Sequence, residues 1–251
     1  MRPVQADAGL GAPPRPGSAG APQERPDRDP ARPGLGLHPL RAHHPDLVRG
    51  VDLNAEAPAG IDAEVERFRR RLGARPVERL DAAPPLLRAS VLVPIFTPRV
   101  GPHLLFTRRT EEVLTHKGQI SFPGGQQEAG DGSPLETALR ESYEEIGLKP
   151  GRVEPVGELD DVLSAVSGFV VSPHVGLIRG PAEDLRPAPT EVRSLLLVPI
   201  DTLLDPAVYR SEARSWMGAE HTIHFYTVGD DVIWGLTALI LHQFLALWRA
   251  A

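Results

Sequence analysis

The stretch GGQQEAGDGSPLETALRESYEEIGL, residues Gly124 to Leu148, decides the fold. Its second half predicts a helix with both ends written locally. Ser133 can cap the N-terminus, Pro134 fits the first helical position, Glu136 completes a capping box and Gly147 suits a left-handed C-terminal residue. At about 100° per residue, Leu135, Ala138, Leu139, Ser142 and Ile146 form an inward stripe, with Glu141, Glu144 and Glu145 on a shared arc beside it. Like charges at this spacing cost a helix roughly 0.2–0.5 kcal/mol per pair, and Arg140, four residues before Glu144, relieves only that one. The residues alone leave two readings open: a cation held by the acids, or a solvated acidic face.

Immediately upstream, Phe122-Pro123-Gly124-Gly125 follows a short apolar stretch, and its glycines would let a backbone carbonyl approach an ion or a phosphate closely. Together with Arg140-Glu141-x-x-Glu144-Glu145-x-Gly147, this arrangement resembles the Nudix box, G-x5-E-x7-R-E-U-x-E-E-x-G-U, where U is bulky and apolar. The match departs in three places. The loop to Arg140 is one residue longer, the first acidic position holds Asp131 rather than a glutamate, and Ser142 replaces the usual apolar residue. The extra loop residue is itself a feature of the coenzyme A pyrophosphatase branch of that family.

A second segment resembles the same branch, which carries L-L-T-x-R-[SA]-x3-R-x3-G-x3-F-P-G-G ahead of the box. Here Leu105-Phe106-Thr107-Arg108-Arg109-Thr110 leads in register to Gly118 and Phe122-Pro123-Gly124-Gly125, with Leu114 standing where the second arginine is expected. Leu159-Asp160-Asp161, Ser167-Gly168-Phe169, Pro189-Thr190-Glu191-Val192, Val198-Pro199-Ile200 and Ile233-Trp234-Gly235 extend the resemblance in order, so that it spans residues 85–249 or so.

The resemblance implies the Nudix fold, a mixed β-sheet sandwiched between α-helices, and metal-dependent hydrolysis of a P–O–P linkage. Mg²⁺ or Mn²⁺ suits hard oxygen donors, which Glu141, Glu144 and Glu145 can supply. The Gly125 carbonyl is the backbone ligand by resemblance. The family uses either a box glutamate or one from a distant loop as general base; Glu144 is preferred here and Glu191 is the distal alternative, against which stands a plain surface role. Arg140 is expected to orient the glutamates. Arg108, Arg109, His116, Lys117 and Gln119 are the candidate substrate contacts, the cations being suited to phosphate. The expected substrate is coenzyme A or an acyl-CoA. The alternatives are another nucleoside diphosphate derivative, such as ADP-ribose or an oxidised nucleotide, and a non-catalytic ligand-binding module, which the intact glutamates disfavour.

Composition narrows the rest. The chain has 251 residues, 41% of them hydrophobic, enough for one core, and no apolar run approaches the roughly 18 residues a membrane span needs. Without a signal-like N-terminus a cytoplasmic protein is expected. The absence of cysteine excludes disulfides and thiolate chemistry, and the net charge of −6 argues against nucleic acid as a main partner. Residues 1–55, rich in Pro, Gly, Ala and Arg without an apolar period, are expected to form a disordered tail, and residues 56–251 the folded domain.

Within that domain, Ile61, Val65, Phe68 and Leu72 predict an amphipathic helix that packs on the domain or on a second subunit, leaving a homodimer open. Strands are expected at 89–96, 104–106, 120–122, 153–159, 169–178, 194–199, 223–227 and 232–233, and a closing helix from Trp234 to Trp248. Strands and helices without regular alternation indicate α+β. His221 and His224 would face opposite sides of a strand, which disfavours a metal pair, and the three tryptophans are read as core or interface.

Overall fold

The computed structural model describes residues 59–98, 100–110, 118–164, 167–216 and 219–250. The expected N-terminal tail, His116 and Lys117 lie outside them.

The domain is built on one pairing between distant segments. Strand β1 (Leu87–Phe96) runs parallel to β7 (Phe169–Ile178), in unbroken register from Leu87 opposite Phe169 to Ile95 opposite Leu177. Both contain the continuous apolar runs expected of strands covered on both faces. Antiparallel strands complete the sheet. β2 (His103–Arg109) pairs with β1, with β3 (Ile120–Ser121) and with β8 (Val192–Pro199); β4 (Gly124–Gln126) pairs with β1; β5 (Val153–Glu158) and β6 (Val162–Ser164) pair with β7. The result is the expected mixed sheet.

Helix α2 (Pro134–Ile146) covers one face, where Ala138, Ile146 and Leu148 meet Leu92, Phe96, Leu105 and Ile178. The other face carries α1 (Ala59–Gly73), α4 (Gly235–Arg249) and a small antiparallel sheet of β9 (Tyr209–Trp216), β10 (Ala219–Val228) and β11 (Asp231–Trp234). A short helix, α3 (Ile200–Leu204), follows β8. The apolar face of α1 is used inside the chain: Phe68 lies 4.9 Å from Phe244 and 5.0 Å from Trp248, ring centre to ring centre. Of the two packing partners left open for this helix, the structure shows the domain itself. Trp248 is core, whereas Trp234 is 48% exposed. His224 is buried against Tyr209, and His221 faces the other way. No helix among the described residues is long and apolar enough to cross a membrane.

A buried polar cluster holds the segment between α1 and β1. The enclosed Asp161 carboxylate accepts from the Leu80 N–H at 3.0 Å, the Ser172 hydroxyl at 2.8 Å and Arg79 at 3.1 Å. His174 lies beside this cluster, its Nδ1 3.6 Å from Glu158 and its Nε2 buried without a partner among the described residues. Burial, helped by the charge of Arg79 and opposed by Asp161, pushes its imidazole down from 6.5 to about 4. Between those values the unfolded chain binds a proton that the folded one does not. Stability is therefore full above pH 6.5 and falls as the pH drops toward 4, by up to about 3 kcal/mol from this residue. Urea unfolding at pH 7, 5.5 and 4.5 should show a steeper acid loss for the wild type than for His174→Gln; equal slopes would contradict this assignment.

Candidate active site

Local chemistry fixes α2 at both ends, with the Glu136 carboxylate bonding one residue ahead of the Ser133 N–H that a strict capping box uses. The Ser133 hydroxyl accepts from the Glu136 N–H at 3.2 Å, the Glu136 carboxylate reaches back to the Gly132 N–H at 2.9 Å, and Gly147 ends the helix at φ 69°. The last-turn carbonyls find donors in a separate loop. Arg186 N–H donates to Ile146 O and Ala188 N–H to Glu145 O, both at 2.8 Å. That loop continues to Glu191, whose carbonyl accepts from the Thr110 N–H at 3.0 Å. Glu191 thereby comes close enough to the helix for its charge to act on Glu141 and Glu145.

The helix is rotated from the expected stripe. Ala138, Ser142 and Ile146 are buried as expected, but Leu135 and Leu139 are only half-buried, and Thr137 and Glu145 lie inside. Glu145 is 3% exposed, and its Oε2 accepts from the Gly124 N–H at 3.2 Å. Burial pushes its carboxyl up to about 7; the charges of Glu141 and Glu191 act in the same direction, while the Gly124 bond and Arg109 oppose them. Glu141, half-buried, is also raised, chiefly by burial and against the pull of Arg140. Its carboxyl group occupies the space beside Gly125, where a Cβ would fall 2.4–2.6 Å from its atoms. Glycine is needed there because the carboxylate packs directly on the strand backbone.

Arg140 organises this face. Its guanidinium donates to both Asp131 oxygens at 3.0 Å, to Gln126 O at 3.0 Å, to Glu141 at 3.0 Å and to Glu144 at 3.2 Å. The Asp131 carboxyl is held far below the usual carboxylate range, first by Arg140 and further by Glu128 N–H and Thr137 hydroxyl bonds. Glu144 is more than half exposed, turned outward beside Arg140. Among the described residues no three acidic or histidine side chains converge on one point in this arrangement. The donors are nevertheless hard oxygens: the charges of Glu144 and Glu191 act to raise the Glu141 carboxyl, those of Glu141 and Glu191 act to raise that of Glu145, and a divalent cation would relieve that repulsion, so the residue set fits Mg²⁺ or Mn²⁺.

The five candidate substrate contacts separate. Arg109 Nη1 stands 3.6 Å from Glu145 Oε1, at the carboxylate cluster. Arg108, its neighbour in sequence, instead pairs with Asp231 at the start of β11. The Gln119 carbonyl accepts the Arg109 N–H at 3.0 Å, and so contributes through its backbone. Sequence reasoning gave no role to Asp131 or Asp231. Asp131 had one signal, its place at the box's first acidic position, whereas Asp231 lies more than a hundred residues from its partner and had none.

The glycine-backed helix with buried Glu145, the clamped Arg140 and the facing Arg109 form a candidate site whose donors suit chemistry on phosphate groups. The sequence pattern of the NUDIX domain matches residues 86–217, just over half of the chain. The chain belongs to the Nudix family and is a hydrolase of that class. It is 39% identical over 155 residues, 62% of this chain and 81% of the relative, to a Photorhabdus laumondii protein named as an uncharacterized Nudix hydrolase NudL. It is 39% identical over 160 residues to the mitochondrial Nudix hydrolase 15 of Arabidopsis thaliana, covering 61% of this chain and 56% of that one. A solved MutT/nudix family protein from Enterococcus faecalis superposes with a TM-score of 0.43 at 14% identity, over 75% of this chain and 73% of the other.

Two substitutions separate the site from the fold. Gly125→Ala should leave Tm within a few degrees, because a flexible carboxylate can move aside, yet lower hydrolytic activity at least about tenfold by displacing Glu141. Asp131→Asn should instead cost about 2 kcal/mol of stability by removing the charge-assisted bonds to Arg140. Thermal melts and steady-state rates on the two variants check both; a Gly125→Ala protein with full activity would place Glu141 outside the reaction.

Proposed function

We propose that the chain hydrolyses the diphosphate of coenzyme A or an acyl-CoA, releasing 3′,5′-ADP and 4′-phosphopantetheine or its acylated form. The observation that carries this reading is the 3.6 Å approach of Arg109 to Glu145. Arg109 occupies the arginine position of the segment by which the sequence resembles the coenzyme A branch, so that segment and the carboxylate helix contribute to one site.

Mg²⁺ or Mn²⁺ would be held by Glu141, Glu144, Glu145 and the Gly125 carbonyl. When bound, such an ion neutralises phosphate charge and acidifies a coordinated water. The chain's own residues do the remainder. Arg109 offers a cation for a diphosphate oxygen, and Arg140 keeps Glu141 and Glu144 oriented. A carboxylate accepts the attacking water's proton as the new O–P bond forms and the bridging P–O bond breaks. Glu144 is the proposed base and Glu191 its alternative.

Purified protein with Mg²⁺ or Mn²⁺ should convert coenzyme A into the two products by mass, with EDTA abolishing turnover. Glu144→Gln and Glu145→Gln should each lower kcat by about 100-fold or more. Untouched coenzyme A beside consumed ADP-ribose or oxidised nucleotide would overturn the substrate assignment, and unchanged rates in both variants would overturn the site.

A further inference from the structure

We infer that Asp231, acting through Arg108, is a positioning residue for the reaction: it anchors the strand end from which Arg109 faces the catalytic glutamates. The inference rests on the hydrolase reading of the site and not on coenzyme A as substrate.

Arg108 and Arg109 are consecutive, yet they serve opposite faces of β2. Leu104 and Phe106 enter the core beneath α1 and α4, Leu105 the core beneath α2. Continued alternation sends Arg108 toward β11 and Arg109 toward α2, as their partners Asp231 and Glu145 show. Regular pairing stops at this step. In the β2–β8 ladder Arg108 lies opposite Ser194 and Arg109 opposite Val192, which leaves Arg193 as the extra residue of a bulge. A bulge re-aims a side chain and weakens the ladder that would otherwise hold it.

Past the bulge the strand end is held by backbone and side-chain contacts. The Arg109 N–H is held by Gln119 O and the Thr110 N–H by Glu191 O, each at 3.0 Å. The Thr110 hydroxyl donates to Thr190 O at 3.2 Å, and Arg108 forms its ion pair with Asp231, the Asp231 side chain being 12% exposed and the Arg108 Nε buried without a partner among the described residues. Asp231 is itself well fixed. It pairs with Val228 across the β10–β11 turn, and Ile233 two residues on is core. Removing its charge leaves the Arg108 guanidinium, 30% exposed, with no counter-charge among the described residues and frees the chain on which Arg109 is mounted. Asp231 lies beyond the stretch that matches the NUDIX domain.

The test is a double-mutant cycle on whichever diphosphate compound the wild type hydrolyses, with Tm measured for each variant. Asp231→Asn should lower kcat/KM about tenfold, mostly through KM, with Asp231→Glu recovering most of the loss. In an Arg109→Ala background the same substitution should cost less than about twofold, because the group it positions is gone. Should Asp231→Asn fail to fold, Arg108→Lys takes its place in the cycle. Equal losses in both backgrounds, or no loss in either, overturn the positioning role while leaving the hydrolase reading intact. A wild type inert toward every diphosphate overturns both.

Discussion

The guanidinium of Arg140 is the contact on which the rest of the site depends. It joins the loop before α2, through Asp131 and the Gln126 carbonyl, to the helix itself, through Glu141 and Glu144. Without that link the loop would lose its tie to Glu141 and Glu144, while the glycine pair itself stays held by the pairing of β4 with β1. The bidentate Asp131 contact is shielded, that side chain being 7% exposed, so it is less subject to the salt screening that makes surface pairs weak. One arginine thus ties the loop to the acidic face of the helix.

Close approach of helix to sheet does the remaining work. Gly124 and Gly125 form part of β4, opposite Val91 and Ser90 of β1, and a side chain at either would collide with neighbouring atoms. On the helix, Ala138 and Ser142 present small surfaces to the same contact, and the buried Ser142 hydroxyl is satisfied within the helix by Ala138 O at 2.6 Å. That internal bond explains how a polar residue fits where the family usually carries an apolar one. The short separation is what buries Glu145, and the burial is what raises its carboxyl.

Much of this was legible in the sequence, and what was not has identifiable reasons. The capped helix, the strands 169–178 and 89–96 and the closing helix were read from local signals, and each lies within two residues of its observed bounds. The strand over Gly124–Gln126 was missed because glycine lacks strand propensity; β1 imposes the conformation from a distance. β6 and β9 were missed as well, since a three-residue strand and the polar run Arg210–Ser215 carry no apolar alternation. The rotation of α2 escaped for a related reason. Periodicity assigns leucines inward and glutamates outward, whereas here a glycine-backed sheet admits Glu145 and leaves Leu135 and Leu139 half-covered.

The pair Arg108-Arg109 shows the limit of sequence reasoning most sharply. Composition treats the two as one basic patch suited to phosphate, yet a strand turns alternate residues to opposite faces, so only one of them can meet the carboxylates. Which one is decided by the register of β2 against its neighbours and by the bulge at Arg193. Arg109 meets Glu145, and the other guanidinium is taken up by an aspartate from the small sheet. The small sheet is thereby joined to the site it flanks: β11 enters the core through Ile233 and reaches β2 through Asp231. Residues beyond the matched domain thus have a physical route to the candidate site of the glutamates and Arg109, through one ion pair and one residue of strand.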